Sequence, residues 1–340
     1  MILLDTTKTA GGKHHSGLRR VTQRLGGELG AAARPVRWPE WQGEKGANDW
    51  LLTAELLSEP ERPGVTAFLE APGVRTAAIF HDAIPLKLPH ITWPQSVARQ
   101  PGYMKLLAKF SRVWAVSRTS KAELEEFWAW QGVPRPPAVE VLTLGADFNG
   151  APRVGSRAVP AGGVPRLLCI GILEPRKNQG FLVEVCEELW AAGMQFELHF
   201  VGRVNPHFGE PVRTRIQRAS RRRRGALVFH EQADDATVAR LYAGARATVF
   251  PTIAEGCGLP LVESLWMGVP CVCSDLPVLR ENADAGGCMP VPVNDRAAWA
   301  DALRRILTDD ALAAQLTAEA GTRPLPTWAE AAATLREGLQ

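Results

Sequence analysis

Long apolar stretches are missing from this 340-residue chain: no window approaches the roughly 20 uninterrupted apolar residues that a membrane span needs. The N-terminus lacks a basic start and a long apolar run, since Met1-Ile2-Leu3-Leu4 reaches Asp5 at once, so a signal peptide is not expected and a cytoplasmic location is. Cysteine is sparse, with 6 residues and no Cys-x-x-Cys pair, and no second Cys/His pair follows to complete a zinc site. Cys169, Cys271 and Cys273 lie in apolar runs, where a thiol behaves as a small hydrophobe, which fits a reducing compartment. A dominant charge sign is absent too. Lys and Arg number 39 against 36 acids, a net charge of +3, which excludes a wholesale nucleic-acid or membrane binder but allows a local patch. Repeats of short period and low-complexity tracts are likewise lacking, apart from one arginine run.

What is present is the composition of a globular protein, 46% hydrophobic and 22% charged, at a length suited to two domains of roughly 150 residues. Strand and helix signals alternate. In the first half, strands are expected at 2–5, 77–80, 113–116 and 139–144, and helices at 17–33, 103–110 and 119–131, the last capped by Ser117 or Thr119. Residues 145–165 carry glycine and proline without periodicity and read as a linker. The alternation then restarts, with strands at 166–170, 196–201, 226–229, 247–250 and 270–273. Helices are expected between them at 179–190, 211–222, 235–243 and 259–266, and near 297–307, 311–320 and 328–339. Such alternation predicts α/β architecture: two Rossmann-like domains, 1–150 and 166–325, with a cleft between them, and a C-terminal helix in 326–340 expected to pack back toward the first. Ligands of such sheets bind beyond the carboxyl ends of the strands, so chemistry is expected in the loops that follow them.

The densest string is Pro251-Thr252-Ile253-Ala254-Glu255-Gly256-Cys257-Gly258-Leu259-Pro260-Leu261-Val262-Glu263. It links a strand to a helix beginning near Leu259. Gly256 and Gly258 free the backbone for tight turning and close ligand approach, and Pro260 suits the first helical turn. The helix N-terminus at Leu259 presents free N–H groups to an anion. Glu255 before the helix and Glu263 inside it can face one cleft at different depths. The second string is Gly171-Ile172-Leu173-Glu174-Pro175-Arg176-Lys177-Asn178. Two adjacent cations at a helix start oppose its dipole, a cost that a bound polyanion offsets. The bland alternatives are a strand-to-helix turn with solvated acids, and two solvated cations in a loop.

Together these strings resemble the retaining glycosyltransferases of GT-B fold, glycosyltransferase family 4 above all. Glu255 and Glu263 match its Glu-x7-Glu motif, and Arg176-Lys177 its Arg-Lys pair. His81-Asp82 resembles the family's N-domain His-Asp step, and Ala115-Val116-Ser117-Arg118-Thr119-Ser120 its "V-S-x-x-S" turn. Ser16-Gly17-Leu18-Arg19-Arg20 is similar to the loop that approaches the donor diphosphate. Two departures stand out: the family's frequent arginine near Gly171 is absent, and Cys257 replaces the usual aromatic. The resemblance implies parallel sheets facing each other across a cleft, with a nucleotide-diphosphate sugar held mainly by the second domain and an acceptor mainly by the first. Arg176 and Lys177 would contact the diphosphate, Glu255 the sugar hydroxyls and Glu263 the ribose, with Gly171, Gly256, Gly258 and Leu259 shaping the donor site. His81 would sit against the transferred sugar, and Gly17, with Gly12, would let the first loop near the phosphates. His81, Arg176, Lys177 and Glu255 are thus the catalytic candidates.

With no evident nucleophile, the implied mechanism is attack on the face from which the leaving group departs, Glu255 as covalent nucleophile being the less favoured variant. No Asp-x-Asp occurs, so neither a metal nor another cofactor is expected. Implied is a hexosyltransferase (mannose- or glucose-like) acting on a glycan or lipid-linked acceptor in surface polysaccharide or glycolipid synthesis. A nucleotide-sugar epimerase of the same architecture and an inactive donor-binding scaffold remain as alternatives. Softer candidates face the acceptor: Asp82, Glu55 and Trp93, with Trp38, Trp41, Trp50 and His90 as a stacking platform or, more commonly for tryptophan, core. Lys13-His14-His15 reads as part of a glycine-rich loop rather than a metal site. Arg213, Arg215, Arg218 and Arg221–Arg224 read as a solvated helix face or as a contact for anionic lipid; nucleic acid is not expected.

Overall fold

The computed structural model describes residues 1–11, 17–42, 46, 48–71, 73, 75–160 and 162–340. The chain divides into two compact units, 1–145 with 326–340, and 146–325.

The N-terminal unit runs β1 (Ile2–Asp5), α1 (Gly17–Leu29), β2 (Ala33–Val36), β3 (Trp50–Thr53), α2 (Val65–Glu70), β4 (Arg75–Phe80), α3 (Ile84–Lys87), α4 (Pro94–Leu107), β5 (Arg112–Ala115), α5 (Arg118–Trp130) and β6 (Val139–Val141). Among the described residues its sheet has six strands in the order β2-β1-β3-β4-β5-β6, every pairing parallel. Central strands β1 and β3 are buried at all four positions, as expected of a sheet covered on both faces. Helix α1 buries Val21, Thr22, Leu25 and Leu29, a stripe at helical spacing. Ser117 caps α5 by accepting from Ser120 N at 2.9 Å.

The second unit runs β7 (Arg166–Ile170), α6 (Gln179–Ala191), β8 (Glu197–Val201), α7 (Gly209–Arg222), β9 (Leu227–His230), α8 (Asp235–Gly244), β10 (Ala247–Phe250), α9 (Leu259–Trp266), β11 (Cys271–Ser274), α10 (Pro277–Ala283), β12 (Cys288–Val291), α11 (Arg296–Thr308) and α12 (Asp310–Thr322). Its strands order as β12-β11-β10-β7-β8-β9, again all parallel. Numbered from β7, that is the 3-2-1-4-5-6 arrangement of dinucleotide-binding folds. Leu167, Cys169, Leu198 and Phe200 pack one face of the sheet against α6 and α11, while Leu168 and Val201 meet Leu241 and Tyr242 of α8. The last helix, α13 (Trp328–Gly338), returns to the N-terminal unit and lies against α1, opened by a capping box between Thr327 and Glu330. No helix among the described residues is long and apolar enough to cross a membrane.

Several elements differ from the sequence pattern, the short helices α2 and α3 among them. The helix expected through residue 33 ends at Leu29, and Ala33–Val36 becomes strand β2. Strand β12 and helix α10 were not expected at all. Strands β2 and β12 lie at sheet edges and each contains a proline, Pro35 or Pro290, a residue that weakens a strand signal and that a sheet tolerates chiefly at its edge. Helix α4 starts at Pro94 and runs through Pro101, where periodicity alone begins the helix two residues later.

Candidate functional site

In the second sheet the strand order reverses between β7 and β10, and the loops after these two neighbours carry both charged strings. Backbone bonds join the loops: Ile253 N donates to Arg176 O at 2.9 Å, and Arg176 Nη1 to Ala254 O at 2.7 Å. Side chains then converge on Glu255. Lys177 Nζ lies 2.6 Å from Glu255 Oε1, Arg176 Nη1 3.0 Å, and Thr252 Oγ1 donates to the same oxygen at 2.7 Å. Arg176 also holds Glu174 Oε1 at 2.7 Å, while Asn205, in the loop after β8, donates to Glu174 Oε2 at 2.9 Å. The result is a compact set of two cations and two carboxylates, with Lys177 only 8% exposed and its ammonium 5.0 Å above the Phe250 ring.

Electrostatics follow from that packing. Burial alone would push the Glu255 carboxyl up, but Lys177 and Arg176 outweigh it and hold the group below the ordinary carboxylate range. Glu255 is therefore ionised at neutral pH. Burial pushes the Cys257 thiol up to about 12, with Glu255 adding to the shift, so this thiol stays protonated and inert. Gly258 opens α9 at φ +81, a conformation that favours glycine, and Glu263 lies in the first turns of that helix, 3% exposed.

In the N-terminal unit, His81 follows β4. Its Nε2 donates to Ala54 O at 2.8 Å, which leaves Nδ1 as the acceptor nitrogen, and burial lowers its pKa to about 4 against the pull of that carbonyl. Ser120 Oγ donates to His81 O at 2.8 Å, so the Val-Ser-Arg-Thr-Ser turn caps α5 with one serine and holds the His81 backbone with the other. Asp82 Oδ1 accepts from Ile84 N at 3.0 Å and its carbonyl from Gln100 Nε2 at 2.9 Å.

Residues 164–309 match the family described as "Glycosyl transferases group 1". The serotype-specific mannosyltransferase WbdA of Escherichia coli is 29% identical over 249 residues, covering 68% of this chain and 29% of that protein. The phosphatidyl-myo-inositol mannosyltransferase of Mycobacterium leprae is 28% identical over 284 residues, or 77% of this chain and 67% of that one. Over residues 164–309 the chain is thus similar to the group 1 glycosyl transferases. It spans less than a third of WbdA's length. Among solved structures, the sucrose-phosphate synthase of Thermosynechococcus elongatus superposes with a TM-score of 0.71 at 19% identity, covering 99% of this chain and 97% of that one. Anabaena HepE, solved with UDP and glucose, gives 0.73 at 13% identity, covering 99% and 98%. The fold is thus GT-B.

Several candidates stand elsewhere than the sequence suggests. Glu55, expected to face an acceptor, is buried at 2% exposure, its carboxylate taken up by Arg62 and by the backbone of Lys8 and Thr9. Trp41 and Trp50 are core, and Trp38 and Trp41 meet edge to face at 5.0 Å with Phe68 beside them, so no stacking platform forms there. Trp93 is exposed at the start of α4. Gly17 is the first residue of α1, while Gly12, Lys13, His14, His15 and Ser16 lie outside the described residues. Thr252 and Glu174 stood in the quoted strings without being singled out. Asn205 and Arg62 carried no sequence signal, because only tertiary packing brings them to their partners.

Proposed function

We propose that this chain is a retaining hexosyltransferase, moving a mannose-like sugar from a nucleotide-diphosphate donor to a glycan or lipid-linked acceptor. The observation that carries the reading is the Arg176–Lys177–Glu255 cluster at the strand-order reversal between β7 and β10. Both cations there face the Glu255 carboxylate, and a diphosphate can take over those donors. Arg176 and Lys177 then face the phosphates beside the N-terminus of α9, with Gly171, Gly256, Gly258 and Leu259 lining the backbone approach. Released from Lys177, Glu255 accepts sugar hydroxyls, and Glu263 the ribose hydroxyls. The acceptor hydroxyl oxygen bonds to the anomeric carbon on the face where the carbon–phosphate-oxygen bond breaks, and its proton passes to the departing phosphate oxygen. Lys177 and Arg176 stabilise the charge growing there. His81, neutral, lies against the transferred sugar, with Asp82 and Trp93 toward the acceptor.

The mannosyltransferase names of the relatives favour mannose over glucose, and the lipid acceptor named for the mycobacterial relative favours work at a membrane surface on the cytoplasmic side. On α7 and in the turn after it, Arg213, Arg215 and Arg222 are paired with Glu231, Glu184 and Glu187, whereas Arg218, Arg221, Arg223 and Arg224 form no ion pair among the described residues. These four form the candidate contact for anionic headgroups. Calorimetric titration with nucleotide diphosphates, followed by turnover assays with the corresponding sugars, tests the main reading. Tight binding of one diphosphate with sugar transfer is expected. Binding without transfer or hydrolysis would instead favour an inactive scaffold.

A further inference from the structure

A second charged cluster is buried in the N-terminal unit, at the carboxyl ends of β1 and β3, where the order of the first sheet reverses. Arg62 and Asp5 are fully buried and Glu55 nearly so. Arg62 Nη2 lies 2.6 Å from both Asp5 Oδ2 and Glu55 Oε2, and its Nη1 donates to Leu56 O at 3.2 Å. Glu55 spends its remaining capacity on the loop after β1. Its Oε1 accepts from Thr9 N at 2.8 Å and Thr9 Oγ1 at 2.9 Å, and its Oε2 from Lys8 N at 2.8 Å. Asp5 holds the preceding turn through Thr7 N at 3.0 Å and accepts from Thr53 Oγ1 at 2.8 Å. The residue before Glu55 is Ala54, whose carbonyl fixes the His81 ring.

Stability does not account for this arrangement. Burying two carboxylates with one guanidinium carries a large desolvation cost, and apolar side chains of similar volume often stabilise as well or better. What charged groups supply here is direction. Two successive backbone N–H groups converging on one carboxylate form a small anion cradle, and the carboxylate pins the backbone at both. One short segment, Ala54–Leu56, thereby sets the loop after β1, the His81 tautomer and the Arg62 fork together. We propose that Glu55, oriented by Arg62 and Asp5, is a positioning residue for glycosyl transfer, fixing Lys8–Thr9 and the His81 ring so that turnover, not donor affinity, depends on it. This rests on the transferase reading above.

Steady-state kinetics with amide exchange on the full chain test it. Glu55→Gln keeps the size but turns an N–H₂ toward existing donors, so Lys8 and Thr9 must shift. Ångström-scale misplacement can lower a rate by about 10²-fold. The expected result is a kcat reduced by roughly that factor with donor KM nearly unchanged, and faster exchange at the Lys8 and Thr9 amides. Thr9→Val removes one hydroxyl bond only and serves if Glu55→Gln fails to fold; a smaller loss of kcat in the same direction is expected. A purely structural role would lower the melting temperature and leave kcat of the folded variants parental, and that result overturns the proposal. So does a kcat loss without faster exchange at Lys8 and Thr9. A parent chain that transfers no sugar from any nucleotide-diphosphate donor would overturn the transferase reading, and this proposal with it; an active parent with unaffected variants overturns this proposal alone.

Discussion

At the scale of single residues, the two glutamates and two cations of the second unit should separate kinetically. Glu263→Gln, if ribose binding is its task, should raise the donor KM and leave kcat nearly intact, the signature of uniform binding. Lys177→Ala should lower kcat by about 10²-fold, the scale of losing one contact to developing charge. Parental turnover in folded Lys177→Ala would falsify the phosphate assignment. His81 offers a different test. Its folded pKa of about 4 lies below the ordinary 6.5, so the unfolded chain takes up this proton first. The associated stability is whole above pH 6.5 and is lost as pH falls toward 4. NMR titration of the imidazole should place its midpoint near 4; a midpoint near 6.5 would mean a solvated ring. Glu255, Lys177 and Arg176 were legible because three charged residues stood in loops after apolar runs. Their mutual neutralisation was not, since it depends on two loops 78 residues apart meeting at one oxygen.

Elements explain how that meeting is enforced. The loop after β7 is tied to the loop after β8 by Leu173 N donating to Arg203 O at 2.8 Å and Asn205 N to Leu173 O at 3.0 Å. Gly202, at φ +147, makes the approach feasible: a Cβ there would fall 2.1 Å from Gly171 O, a backbone atom that cannot step aside. Gly202→Ala should therefore push the Arg176–Lys177 loop from its place, with a stability loss of about 1–3 kcal/mol and weaker nucleotide-diphosphate binding. Denaturant melts and calorimetry on the same preparation check both, and retained affinity would show that the loop tolerates the shift. Sequence pattern recovers most of the buried central strands and the capped helices because burial on both faces leaves apolar runs and caps leave Ser, Thr or Asp. Edge strands β2 and β12 escape it, half-covered and interrupted by proline.

For the whole molecule, the return of α13 to the first unit is the main long-range fact. Trp328 is 1% exposed, within 5.9 Å of the Arg24 guanidinium of α1. Trp328→Ala should cost about 3–5 kcal/mol, and calorimetry should show the loss in the transition of the N-terminal unit, with that of residues 146–325 unmoved. Equal shifts of both transitions would mean that the units melt as one. The arginine face of α7 calls for a vesicle test. Replacing Arg218, Arg221, Arg223 and Arg224 with Ser should reduce co-flotation with anionic vesicles, and added salt should erase the difference. Parent protein that fails to bind at low salt would remove the membrane contact from the proposal.

Local sequence by itself determined the alternation of strand and helix, the two-sheet α/β class and the charged strings that follow β7 and β10, because each is written in neighbouring residues whose spacing matches a backbone period. Tertiary structure alone decided the rest. It placed β7 beside β10, so that Glu255 closes on Lys177, and it turned Glu55 inward onto Arg62 and away from any acceptor. It also moved Trp41 and Trp50 into the core. These outcomes hang on strand order and on which partner reaches a buried charge first, and neither is encoded within reach of a single turn or strand.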